Sequence, residues 1–331
     1  MRAAIVGIAG PMLSAAEASL FSATPPAGVI LFSRNIENPS QLASLVASLR
    51  AVLPPDAVLM VDQEGGRVAR LRPPGWQRHP PAALLGRLYD ADHAAGLRAA
   101  WLTGALIGLE ARAVGMDVVS APVLDLGLPG TSAAIGDRAF HANPRIVARL
   151  GRAFAKGLLA AGIQPVMKHI PGHGRALVDS HLALPTVEAT ALASDLLPFA
   201  ANAALPWAMT VHIRYTRWDA EHPATVSEII IRSIVRGRLR FAGVLVSDDL
   251  AMQALDGTPA ARATATLGAG VDLALFCSGD RQANEEVLAA VPGISPGSRA
   301  RLAHARAMAA ASLTPLEPDR LGAERDRLLP A

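Results

Sequence analysis

The stretch Gly243-Val244-Leu245-Val246-Ser247-Asp248-Asp249 is a short apolar run that stops on a serine and two carboxylates. It is too short for a helix and apolar on both faces, the pattern of a parallel strand buried on both sides. Six runs of the same kind precede it: Ala3–Gly7, Gly28–Phe32, Ala57–Val61, Met116–Val119, Pro165–Met167 and Trp207–Val211. Asp272–Phe276 follows it. Helical segments rich in Ala, Leu and Arg fill the gaps, among them Gln41–Leu53, Ala94–Val114, Pro144–Ala161 and Ser227–Arg238. Strand–helix alternation gives a parallel sheet. Eight such units predict an α/β fold closed into a (β/α)8 TIM barrel rather than an open doubly wound sheet. The 331 residues, 51% of them hydrophobic, are enough for one large core, and such a barrel needs only ~250. The reading is a single barrel domain over residues 1–313, with residues 314–331 as a polar, proline-containing and partly ordered C-terminal tail. Residues 72–93, rich in Pro and Arg, and 125–143, rich in Gly, Ser and Ala, read as long loops.

Composition excludes several classes. Aromatic residues are 4% of the chain, too few for a base-stacking platform, and the +3 net charge comes from scattered arginines without a basic run. Nucleic acid is therefore not an expected partner. The one cysteine, Cys277, rules out an intramolecular disulfide and fits a reducing compartment. Met1–Ala18 has some features of a signal peptide. Gly7, Gly10 and Pro11 interrupt its apolar run, and its removal would delete the first strand. No uninterrupted apolar run reaches the ~20 residues of a membrane span. The expectation is a cytoplasmic monomer that acts on a small molecule, without a membrane partner.

In such barrels the active site forms at the C-terminal ends of the strands. The third run leads into Asp62-Gln63-Glu64-Gly65-Gly66-Arg67-Val68-Ala69-Arg70, the fourth to Asp125, the fifth to Lys168-His169, the sixth to His212 and the seventh to Asp248-Asp249. One such acid is ordinarily a helix cap or turn residue. Five ionisable strand ends would converge on one rim. In the Asp62–Arg70 segment, the paired glycines let backbone approach a ligand. Its carboxylates and arginines could bind sugar hydroxyls or form a structural ion pair. Lys168-His169-Ile170-Pro171-Gly172-His173-Gly174 makes a sharp loop whose histidines could ligate a metal, but no Cys or Glu completes a recognisable spacing. In Asp179-Ser180-His181 the carboxylate could fix the imidazole tautomer for acid/base work, or the tripeptide could be a simple turn. Of the adjacent Asp248 and Asp249, only one can point into the barrel, and Asp248 comes first after the strand.

Taken together, Lys168–Gly174, Asp179-Ser180-His181-Leu182-Ala183-Leu184-Pro185, Val61–Leu71, Ile135-Gly136-Asp137-Arg138-Ala139-Phe140, Ser247–Met252 and Gly28–Asn35 resemble glycoside hydrolase family 3. More narrowly, they are similar to its bacterial β-N-acetylhexosaminidases of peptidoglycan recycling. The similarity runs from about residue 5 to 280. It implies a retaining glycosidase in which Asp248 is the nucleophile and His181, partnered by Asp179, is the acid/base. Asp62, Arg70, Arg138, Lys168 and His169 would bind a terminal N-acetylglucosamine. The implied substrate is N-acetylglucosaminyl-1,6-anhydro-N-acetylmuramic acid, with or without peptide, and no metal or organic cofactor is implied. A histidine suits the acid/base role because, unlike a second carboxylate, it does not repel the nucleophile. Arg175-Ala176-Leu177-Val178 departs from the family pattern, which commonly starts this loop with Asp-Thr. Many members also carry a second α/β domain, for which no residues remain after the barrel. Other readings are a β-N-acetylglucosaminide phosphorylase, a catalytically silent sugar-binding barrel and a metal-dependent barrel hydrolase.

Overall fold

Valine, isoleucine, leucine and alanine at successive positions leave neither face of a strand suited to water, and every barrel strand here is covered on both sides. The computed structural model describes residues 1–178, 183–188 and 192–330. In chain order the strands are β1 (Arg2–Gly7), β2 (Pro26–Leu31), β3 (Val58–Val61), β4 (Val118–Val119), β5 (Gln164–Ile170), β6 (Thr186–Val187), β7 (Trp207–Thr210), β8 (Arg214–Tyr215), β9 (Val244–Asp249) and β10 (Leu273–Phe276). Eight of them close a parallel barrel in the order β1-β10-β9-β7-β5-β4-β3-β2, while β6 and β8 pair apart from it.

Side chains alternate across the barrel wall. Ile5, Ile30, Met60, Val166, Trp207, Val246 and Leu275 belong to one buried cluster. Their neighbours Ala4, Leu31, Leu59, Met167, Ala208 and Leu245 belong to another, shared with the surrounding helices. This is the layered packing of a TIM barrel, and the chain is a single α/β barrel of that kind.

The helices are α1 (Ala15–Ala23), α2 (Pro39–Val52), α3 (Ala82–Ala91), α4 (His93–Ala113), α5 (Pro144–Ala160), α6 (Ala193–Ala201), α7 (Pro259–Gly268), α8 (Arg281–Ala290), α9 (Pro296–Ser312) and α10 (Pro318–Leu328). Their starts are written locally. Asn38, Asn143, Thr258 and Ser295 each cap a helix whose first residue is proline. The cap satisfies a free amide, and proline lacks the amide that would otherwise be left over.

Three readings need correction. Residues 72–93 are not all loop, because α3 occupies their second half and buries Leu85 and Tyr89. The segment after Thr314 contains α10, whose Leu321 packs against Leu102, Ala105 and Leu106 of α4. Two leucines, Leu321 and Leu328, on a short charged helix leave little apolar periodicity to read. Finally, β5 and β9 continue beyond their apolar runs, so Lys168, His169, Asp248 and Asp249 lie within strands rather than after them. Their backbones are therefore fixed by the barrel wall.

Candidate active site

Three polar clusters meet at the C-terminal rim. The first is built on Lys168, whose side chain is 3% exposed. Its Nζ donates to Asp62 Oδ1 at 3.1 Å and Ser120 Oγ at 3.0 Å, and lies 2.7 Å from Glu64 Oε1. Arg138 grips the same Glu64 with Nε and Nη2, each at 2.8 Å. Arg70 Nη2 reaches Asp62 Oδ2 at 3.3 Å, while Arg70 Nε is buried with no hydrogen-bond partner among the described residues. Burial pushes the Asp62 and Glu64 carboxyls up. The facing cations win: Lys168 and Arg70 hold Asp62 far below the usual range, and Arg138 with Lys168 brings Glu64 to about 2. Both stay ionised.

The second cluster is centred on Asp125, which is fully buried. His169 Nδ1 sits 2.6 Å from Asp125 Oδ2, and the His173 amide donates to Oδ1 at 2.6 Å. Burial alone would raise the Asp125 pKa, but His169 and the hydrogen bonds lower it. The Asp125 contact orients the His169 ring, leaving Nε2 for other use.

The third cluster separates the two adjacent carboxylates. Asp249 Oδ1 accepts from the amides of Ala251 and Cys277, each at 2.9 Å, and burial raises its pKa. Asp248 Oδ1 accepts from the Asp249 amide at 2.8 Å. Burial works against its charge, but His169, His212, this amide and Lys168 together lower its pKa. His212 Nε2 donates to the Asp249 carbonyl at 2.9 Å, since a carbonyl can only accept, and Nδ1 faces Thr225 Oγ1 at 2.8 Å. Burial lowers the His212 pKa and keeps the ring neutral.

The clusters line one cavity of about 290 Å³, at the small end of ligand sites. Asp62, Arg70, Arg138, Lys168, His169 and Asp248, all expected from the sequence, share it. Asp179 and His181 lie outside the described residues. Glu64, Asp125, His173, His212 and Asp249 carry geometry that was given no individual site role in the sequence. Each does stand in a flagged strand-end segment, so its position was legible and its partner was not. Among the described residues no group of three or more His, Cys, Asp or Glu could hold a metal ion. The peptides Lys168–His169 and Ile170–Pro171 are cis.

A closed parallel barrel with an ionised carboxylate and a cation-rich cavity at its strand ends is the architecture of a TIM-barrel glycoside hydrolase. The family model for the glycosyl hydrolase family 3 N terminal domain matches residues 7–307, and the chain belongs to that family. It is 42% identical over 305 residues to a beta-hexosaminidase of Thioalkalivibrio sulfidiphilus, covering 90% of this chain and 87% of that one. It is 43% identical over 305 residues to a beta-hexosaminidase of Methylococcus capsulatus, covering 89% of both. Among solved structures, NagZ from Neisseria gonorrhoeae in complex with N-trifluoroacetyl-D-glucosamine superposes with a TM-score of 0.88 at 34% identity, over 99% of this chain and 98% of that one. The chain is a glycoside hydrolase of the β-N-acetylhexosaminidase type. Among the described residues, no helix is long and apolar enough to cross a membrane.

Proposed function

We propose that this enzyme is a retaining exo-β-N-acetylglucosaminidase with Asp248 as nucleophile. The observation that carries the reading is Asp248 itself, a half-buried carboxylate whose pKa is lowered by His169, His212 and Lys168 in the cavity it lines. A nucleophile must be ionised and free of competing ion pairs, and Asp248 forms no salt bridge among the described residues. Its carboxylate attacks the anomeric carbon. The glycosidic bond breaks as His181, oriented by Asp179, protonates the leaving oxygen. Water then attacks the glycosyl-enzyme while His181 takes its proton, and Asp248 is released. Asp62, Arg70, Arg138, Lys168 and His169 bind the terminal N-acetylglucosamine, with Arg70 Nε, unpartnered among the described residues, as a donor.

The substrate in this reading is N-acetylglucosaminyl-1,6-anhydro-N-acetylmuramic acid, free or peptide-bearing, and the role is cell-wall recycling by a cytoplasmic monomer. The beta-hexosaminidase relatives and the glucosamine derivative bound by the Neisseria protein support the sugar. The buried free thiol of Cys277 is compatible with a reducing compartment. The test is hydrolysis of an aryl N-acetyl-β-glucosaminide. Asp248→Ala should lower kcat by more than ~10³-fold, and undiminished turnover refutes the nucleophile. Running the wild type in phosphate and in a non-nucleophilic buffer checks the acceptor. Sugar 1-phosphate as the main product would make the enzyme a phosphorylase.

A further inference from the structure

The segment Asp62–Leu71 places five residues on the cavity, Asp62, Glu64, Arg67, Val68 and Arg70, and its Gly66–Leu71 part also borders an open groove on the other side. A second space of about 670 Å³ lies on its far side, between Gly66–Leu71 and the end of α10. Gly65 and Gly66 adopt positive φ, +95° and +56°, and rest against Pro80 and Pro81 so closely that a Cβ at either would collide. The anchor on this side is a hydrogen bond from the Gly66 amide to the His79 carbonyl at 3.0 Å. What fixes His79 therefore bears on the segment.

His79 is 4% exposed and is not among the residues that line the cavity. Its Nε2 is 2.8 Å from Glu110 Oε2 of α4, and its Nδ1 is 3.0 Å from Arg325 Nη1 of α10. A guanidinium has only donors, so Nδ1 accepts and the ring proton is on Nε2, directed at Glu110. Arg325 Nη2 also donates to Gln77 Oε1 at 3.3 Å, and the Gln77 amide donates to Glu110 Oε1 at 2.9 Å. Arg325 is 4% exposed, an uncommon setting for an arginine on a helix whose other charges face water. Leu321, one turn earlier, fixes α10 to α4. The result is a polar latch from α10 through His79 to the backbone of Gly66, alongside that groove.

We propose that Arg325, acting through His79, is a positioning residue for the sugar-binding segment Asp62–Leu71. The proposal rests on the reading that this segment binds the sugar. Without the guanidinium, the His79 ring keeps Glu110 as its one side-chain anchor, the stretch that carries the His79 carbonyl loosens, and the Gly66 amide, with Glu64 and Arg70 on either side of it, is held less firmly. Binding suffers more than chemistry, because Asp248 and His169 lie on strands that the latch does not touch.

The experiment compares wild type, Arg325→Met and Arg325→Lys in aryl N-acetyl-β-glucosaminide turnover and in amide hydrogen exchange at Gly66. Arg325→Met should raise KM about tenfold with kcat within about twofold, the loss of roughly one charged hydrogen bond. Gly66 exchange should quicken by about tenfold while exchange within α4 is unchanged. Arg325→Lys, which keeps one donor toward His79, should recover most of both. A folded Arg325→Met with unaltered KM and Gly66 exchange overturns the proposal. So does a lower kcat at constant KM, the mark of a smaller folded fraction. If Arg325→Met does not fold, His79→Gln is read against the same outcomes. A wild type inactive on the aryl substrate would count against the hexosaminidase reading, while Gly66 exchange would still decide the latch.

Discussion

At the scale of single residues, Lys168 is the pivot of the site. One ammonium, 3% exposed, contacts Asp62, Glu64 and Ser120 and contributes to the lowered pKa of Asp248. A buried ion cluster is not in itself a source of net stability, because desolvation offsets attraction. Removing one partner nevertheless leaves uncompensated charge. Lys168→Met, close in length and apolar, should therefore destabilise the fold by about 3–5 kcal/mol in urea unfolding, and should raise the Asp62 and Glu64 pKa values. A loss under about 1 kcal/mol would mean that Arg70 and Arg138 neutralise the pair without help. The pattern of charged strand ends made these positions legible in the sequence. Which carboxylate meets which cation was not, since Lys168 and Asp62 are 106 residues apart and only barrel closure brings them together. Asp125 shows the same gap: it stands out as a strand end, but nothing local says that it orients His169.

At the scale of elements, helix α5 is held against α4 through glycine. A Cβ on Gly157 would lie 2.1 Å from the Trp101 carbonyl, and one on Gly104 would lie 2.1 Å from that of Phe154. The two backbones approach so closely that no side chain fits between them. Gly157→Val should cost about 1–3 kcal/mol or more through forced separation of the helices. Gly268→Ala in α7, where the added Cβ meets nothing within 4 Å, should be neutral or stabilising by up to ~1 kcal/mol. Thermal unfolding of the two variants side by side checks the contrast, and equal effects would contradict it. Helix starts with an Asn, Thr or Ser cap followed by Pro are set by adjacent residues, because capping is local chemistry. Helices α3 and α10 were not, because their burial depends on what they pack against. Leu85 and Tyr89 follow a proline-rich run, and Leu321 and Leu328 are the two leucines of a charged helix.

At the scale of the whole molecule, buried ionisable groups set the response to pH. Glu64 is held near 2 against an ordinary 4.5, and Asp62, Asp125 and Asp248 are also depressed. An acid with a folded pKa below its unfolded value stabilises above the unfolded value and loses that contribution as pH falls through the folded one. Burial depresses His173 and His212, so they too favour unfolding once the pH drops below their ordinary 6.5. Asp249, raised by burial, works in the opposite direction. Urea midpoints should decline gently below about pH 6.5 and more steeply from about 4.5 toward 2. Glu64→Gln should flatten the steep part. A midpoint constant from pH 7 to 3 would show that these carboxylates are not paired in the folded state.

The sequence by itself determined the fold class, because strand burial on both faces and the strand–helix alternation are written in neighbouring residues. It also determined the set of strand ends that carry charge, and the family motifs determined which of them to regard as chemical. Tertiary structure decided the rest. It set Asp248 and Asp249 side by side at the cavity and tied Asp249 to the amides of Ala251 and Cys277. It joined Glu64 to Arg138 and Lys168, and it folded the polar C-terminal stretch into a helix whose Arg325 reaches His79. The reason is range. Local patterns fix where a backbone goes, while the protonation and orientation of a side chain depend on charges that arrive from strands and helices far along the chain.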